Sequence, residues 1–144
     1  MNDLRPIKAL LPGLTRLAFG ANARWLCPQQ QTVQRVYFAN HTSHLDTLLL
    51  WSLLPADLRG LTRPVVAKEY WHKNCFRRLL ANQVFNAIMI ERPDHNASSR
   101  LNLASQALSI IMEGMADKYS IIIFPEGTRG DRPEMRPFKS GIYH

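Results

Sequence analysis

Between Val33 and Phe124 the chain alternates short continuous apolar runs with longer stretches in which apolar side chains recur every three or four positions. A period of two or an unbroken run of four to eight apolar residues marks a strand, and a period near 3.6 marks a helix. On that basis "VQRVYFAN" (33–40) reads as a strand and "HLDTLLLWSLL" (44–54) as a helix closed by Pro55. "RPVVAK" (63–68) reads as a strand, "EYWHKNCFRRLLANQ" (69–83) as one helix and "FNAIMIE" (85–91) as a strand. "ASSRLNLASQALSIIMEGMAD" (97–117) follows as a long helix with Leu101, Ala104, Leu108, Ile111, Met112 and Met115 on one side, and "SIIIF" (120–124) as a buried strand. Strands alternating with helices imply an α/β layer architecture with at least partly parallel pairing. No repeat of solenoid period is present, and Gln29 to Gln31 reads as a short linker.

In open α/β sheets ligands bind in the crevice beyond the C-terminal ends of the strands. Three of those ends carry polar clusters: Asn40-His41, Glu91-Arg92 and Pro125-Glu126-Gly127. Candidate chemistry is therefore sought there.

The chain of 144 residues is long enough for one domain that buries about 70% of its unfolded surface. With 46% hydrophobic and 20% charged residues it is neither disordered nor fibrous. A net charge of +7 favours an anionic partner such as a phosphorylated metabolite, a membrane surface or nucleic acid, without choosing among them. Cys27 and Cys75 show no CxxC spacing and no neighbouring His cluster, so neither a disulfide scaffold nor a metal site is expected.

Residues 1–32 stand apart as a basic amphipathic segment before a domain spanning 33–144. Its "LRPIKALLPGLTRLAFGANARWL" sets Arg5, Lys8, Arg16 and Arg24 among Leu, Ile, Phe and Trp, a composition suited to an anionic interface. The competing reading is a surface helix packed on its own domain. Pro12, Gly13, Arg16 and Gly20 interrupt it before a membrane span is reached. A second aromatic and basic stretch, "YWHKNCFRR" (70–78), suits a membrane interface or a solvated helix face.

"NHTSHLD" (40–46) supports two readings. Ser43 followed three places later by Asp46 fits a capping box, which by itself accounts for Asp46. His41 and Asp46 also fit a catalytic pair, with a geometric condition. Five helical positions rotate about 140° past a full turn, so the two meet only if His41 lies in the strand-to-helix turn and Asp46 in the first helical turn. Asp46 would then fix the imidazole tautomer and leave the other ring nitrogen to take a proton from a substrate hydroxyl. His44 points away from Asp46 in this arrangement and reads as a packing residue.

Together "NHTSHLD", "FNAIMIER" (85–92) and "FPEGTRG" (124–130) resemble, in order and spacing, the first three motifs of the glycerolipid acyltransferases of the lysophosphatidic acid acyltransferase type. The resemblance covers about residues 33–144 and implies a layered α/β fold with a mixed, partly parallel sheet flanked by helices. It implies that His41 is the general base, Asp46 its orienting partner, Glu126 and Gly127 the residues holding the glycerol backbone, and Arg92 and Arg129, with Thr128 beside them, the phosphate site. A phosphate monoester suits guanidinium forks and backbone approached through glycine, as "EGTRG" provides.

The implied reaction moves a fatty acyl group from acyl-CoA or acyl-ACP to the free hydroxyl of a lysophospholipid, 1-acylglycerol-3-phosphate first among them, in phospholipid biosynthesis. No metal and no tightly bound cofactor are implied. The expected location is cytoplasmic, peripheral on the inner face of the cell membrane. The family's fourth motif, on a later strand, is missing because the chain stops at "FKSGIYH", so a C-terminally truncated domain is expected. Its counterpart reading is an inactive membrane-binding relative. A nucleic-acid-binding module is not expected, since no such motif is present.

Overall fold

The computed structural model describes residues 4–26, 33–91 and 97–127, with the side chains of 97–101 outside that description. Four strands, β1 (Val36–Phe38), β2 (Thr62–Ala67), β3 (Ile88–Ile90) and β4 (Ser120–Ile123), form one sheet in the order β1-β4-β2-β3. Every described pairing is parallel, where a mixed sheet was expected. The reason lies in the connections: helices α1 (Arg5–Phe19), α2 (Asp46–Leu53), α3 (Ala56–Gly60), α4 (Lys68–Trp71), α5 (Cys75–Leu79) and α6 (Ala97–Met115) leave no tight hairpin among the strands. β1, β2 and β3 are each followed by a connection long enough to return the chain to the same end.

The apolar runs fill two cores, one on each sheet face. Trp51 and Leu54 from the α2 end, Trp71, Ala81, Val84 and Phe85 close over Val66 and Ile122. Phe85, 1% exposed, takes the edges of both tryptophans at 5.0 and 5.7 Å between ring centroids. On the other face Ile111 and Met115 of α6 cover Val65, Ile88 and Ile121. Neighbouring residues on one strand thus enter different cores, as the period of two requires.

The single helix expected over 69–83 is three pieces. Asn74 stops and restarts it: its side chain accepts from the Arg77 N–H at 2.8 Å as the N-cap of α5. A π turn over Leu80–Val84 then widens the helix, with Phe85 N–H donating to Leu80 O. The extra residue turns Phe85 into the core, and Asn86 at φ 49°, a conformation Asn tolerates, redirects the chain into β3.

Of the expected inner face of α6, Ile111 and Met115 turn inward, joined by Leu103 and Ala107, whereas Ala104, Leu108 and Met112 are exposed and the Leu101 side chain lies outside the described residues. Gly114 lets the helix come close to β3: a Cβ there would lie 2.5 Å from Ile88 Cδ1 and 2.7 Å from its Cγ1, so a larger residue would have to displace the Ile88 side chain. Arg63 of β2 donates to the Gly114 carbonyl at 2.7 Å and Gln34 donates to the Ala116 carbonyl at 2.8 Å, fastening the same end.

α1 runs through Pro12 and Gly13 and ends at Gly20, in the left-handed conformation at φ 58°. It packs on α2 through Leu11, Pro12 and Thr15, while Ile7, Leu10, Leu14 and Leu17 face outward, Leu17 being 84% exposed. Arg16 Nε donates to the Ser52 carbonyl at 2.9 Å and ties the helix to the C-terminal end of α2. The helix therefore packs on its own domain and still shows its broad apolar face outward. Among the described residues no helix is long and apolar enough to cross a membrane.

Replacing Gly114 with Ala is expected to lower stability by about 1–3 kcal/mol, because overpacking against buried Ile88 outweighs the gain of about 1 kcal/mol in helix propensity. Urea unfolding measures it, and Ile88→Val in the same chain should recover part of the loss.

Candidate active site

Because all four strands run the same way, their C-terminal ends share one edge of the sheet. Past β1 comes His41, past β4 Glu126, past β2 Lys68 and past β3 Glu91, in that spatial order. The first two are adjacent because β1 pairs with β4, in register from Val36 opposite Ile121 to Phe38 opposite Ile123.

The condition set by helical rotation is met. Asp46 is the first residue of α2, and His41 lies in the turn that joins β1 to it. His41 Nδ1 is 2.9 Å from Asp46 Oδ2, with each side chain 14% exposed. A carboxylate only accepts, so in the neutral imidazole Nδ1 carries the proton and Nε2 presents its lone pair. His41 Nε2 has no partner among the described residues. The imidazole is also stacked on Phe124, with centroids 4.3 Å apart and planes 21° from parallel. Ring face and ring edge are therefore both constrained.

Capping and catalytic geometry coexist here rather than compete. The same Asp46 oxygen accepts from the Thr42 N–H at 2.7 Å and the Ser43 N–H at 2.8 Å. Half of the expected capping box forms: Asp46 reaches back to Ser43, but the Ser43 hydroxyl accepts from Leu45, at 3.1 Å, instead of from the third amide. Three charge-assisted contacts on one oxygen leave it little freedom to leave the imidazole.

The loop after β4 closes a turn in which Gly127 N–H donates to Phe124 O at 3.0 Å, with Gly127 at φ 67°. That positive φ gives the glycine of "PEGT" a conformational reason to be there. Glu126, 4% exposed, turns inward, and its carboxylate accepts from the His41 backbone N–H at 2.9 Å. Gly127 lies beside it. Arg92, Thr128 and Arg129, the remaining residues the sequence nominates, lie outside the described residues.

His44 stacks on Tyr70 at 4.5 Å, and Arg77 lies over the same Tyr70 ring at 4.2 Å. The histidine is thus engaged in packing beside the site. Lys68 went unnoticed in the sequence although the same strand-end reasoning finds it. It donates to Glu91 Oε1 at 2.6 Å, and that hydrogen bond, followed by the charge, holds the Glu91 carboxyl below the usual range and raises Lys68. A shallow pocket of about 110 Å³ adjoins them, lined also by Met89, Leu103, Ala107 and Ile110. Among the described residues no group of three or more His, Cys, Asp or Glu could hold a metal ion.

Comparison with known proteins gives the family. Residues 27–144 match the family model for Acyltransferase. The chain is 25% identical over 136 residues to a 1-acyl-sn-glycerol-3-phosphate acyltransferase of Limnanthes douglasii, covering 94% of this chain and 44% of that protein. It is 29% identical over 109 residues to one of Cocos nucifera, covering 76% of this chain and 32% of that protein. The chain thus spans less than half the length of these relatives. No solved structure matches it significantly. With a histidine and an aspartate joined at the end of the first strand and a family match over most of its length, the chain belongs to the acyltransferase family.

Proposed function

We propose that this chain carries the acyl-transfer centre of an O-acyltransferase that moves a fatty acyl group from acyl-CoA or acyl-ACP to the free hydroxyl of 1-acylglycerol-3-phosphate. The observation that carries the reading is the 2.9 Å contact between His41 Nδ1 and Asp46 Oδ2, at the sheet edge where α/β folds bind ligands. It is supported by relatives whose names state that reaction.

In the mechanism, His41 Nε2 takes the proton of the acceptor hydroxyl as its oxygen attacks the thioester carbonyl carbon. The tetrahedral intermediate collapses with loss of the thiolate, which the imidazolium protonates, so the histidine ends neutral. Asp46 stabilises the imidazolium through Nδ1 and keeps the tautomer fixed. The Thr42 and Ser43 amides already donate to Asp46, so the developing oxyanion takes its donors from other groups. Gly127 allows backbone to approach the glycerol portion, and Arg92 and Arg129, with Thr128, supply the phosphate contacts.

The acceptor is a lipid, and the outward face of α1 suits an anionic membrane surface. Ile7, Leu10, Leu14 and Leu17 present apolar area on a chain of net charge +7. Apolar burial and attraction to anionic headgroups add in such binding, which fits a peripheral position on the inner face of the cell membrane.

His41→Ala is expected to lower acyl transfer from acyl-CoA to lysophosphatidic acid by about 10²- to 10⁴-fold while vesicle binding stays unchanged. Radiolabelled acyl transfer and vesicle co-sedimentation measure the two. No transfer by the parent chain with either donor, with vesicle binding intact, would favour an inactive membrane-binding relative. Leu14→Asp with Leu17→Asp should weaken co-sedimentation with anionic vesicles at least tenfold and leave the far-ultraviolet circular dichroism unchanged, since both side chains face away from the domain.

A further inference from the structure

Three planar groups stack beside the turn that carries His41. His44, three residues on, lies against the Tyr70 ring of α4 at 4.5 Å with the planes 19° apart, and the Arg77 guanidinium of α5 lies over the same ring at 4.2 Å. Asn74 fixes the backbone beneath that guanidinium by accepting from the Arg77 N–H at 2.8 Å. Backbone and side chain of Arg77 are therefore both held.

A guanidinium laid on an aromatic ring uses its face there and keeps its N–H donors, which all lie in its plane, for a partner at its edge. Among the described residues Arg77 has no carboxylate partner, and Lys73 and Arg78 are exposed on the same segment. The held edge suits an anion. The residues assigned above to the acceptor lie past the ends of β3 and β4, whereas this stack is built from the start of α2 and from α4 and α5, on the side of the core of Trp51, Trp71 and Phe85. A different set of elements carries this charge.

Of the two substrates, the acyl donor is the one still without a phosphate contact. Acyl-CoA and acyl-ACP share a pantetheine arm, with the thioester at one end and a 4′-phosphate at the other. That arm is about as long as four extended residues, roughly 13 Å, so a thioester at His41 Nε2 leaves the phosphate beyond the catalytic turn. The stack stands beside that turn.

We propose that Arg77, laid on Tyr70 beside the catalytic turn, is the contact for the 4′-phosphate on the pantetheine arm of the acyl donor. The proposal rests on the acyltransferase reading and adds to it the place where the donor is held.

The test measures kcat/KM for two thioesters of the same fatty acid, one on 4′-phosphopantetheine and one on pantetheine, with lysophosphatidic acid as acceptor. The parent chain should prefer the phosphorylated thioester by about 10- to 100-fold, the effect of one charge-assisted contact. Arg77→Ala should reduce that preference to within about twofold, with KM for lysophosphatidic acid within twofold of the parent. A preference kept in this variant would overturn the proposal, and weaker sedimentation with anionic vesicles beside it would make the segment a membrane contact instead. A tenfold rise in KM for lysophosphatidic acid is the behaviour of an acceptor contact and would also overturn it. Acyl-CoA and acyl-ACP should lose kcat/KM together; a loss confined to one of them would place the contact on the nucleotide or on the carrier protein and overturn the assignment to the shared phosphate. If Arg77→Ala fails to fold, Arg77→Lys decides: it keeps the charge without the fork, so the preference should fall about threefold or more, and an undiminished preference overturns the proposal. If the parent chain turns over neither thioester, the acyltransferase reading of this chain fails, and equilibrium dialysis with 4′-phosphopantetheine decides for Arg77 alone. Retention at least tenfold weaker in the alanine variant supports the phosphate contact, and equal retention overturns it.

Discussion

Pairing of β1 with β4 is the constraint on which the rest of the molecule depends. The first two strands are not neighbours here; the last described strand inserts between β1 and β2, so the two turns that carry His41 and Glu126 meet at one corner of the sheet. Without that insertion Asp46 could still cap α2 and touch His41, since both bonds are local. What would be lost is the relation of the pair to the loop after β4. Local electrostatics shape the imidazole, and topology decides what it faces.

Much of this was legible in the sequence, for identifiable reasons. The apolar run at β4 satisfies two requirements at once, local propensity and burial, so pattern and fold agree there, and the capping signature before α2 forms by half. Asp46 could be read as a cap or as a catalytic partner because one oxygen does both. The orientation of Glu126 could not be read, because it depends on which strand β1 pairs with, and a parallel sheet leaves no hairpin signal to say so. The same holds for the all-parallel pairing itself.

The errors in the helices have a common cause. Periodicity predicts an apolar stripe but not which of two overlapping stripes is buried, and α6 offers both 104/108/112 and 103/107/111. Gly114 adds a close approach to the Ile88 side chain that no hydrophobicity pattern contains. For α1 the sequence left a membrane-facing segment and a helix packed on its own domain both open: the narrow face of Leu11, Pro12 and Thr15 meets α2, tied by Arg16, while the broad apolar face looks away. In 69–83, Asn74 outweighs the surrounding helix formers because its side chain satisfies an amide that the break would otherwise leave bare.

β1 has a partner on one side only among the described strands, and Val36 and Phe38 on its α6 side are 41% and 51% exposed. The register places them with Ile121, yet α6 covers β2, β3 and β4 without reaching the outermost strand. An edge with open backbone groups and bare aromatic surface templates the addition of another strand. Encounters between two such edges grow with the square of concentration, so the exposed β1 edge makes association of this chain a matter of how much protein is present.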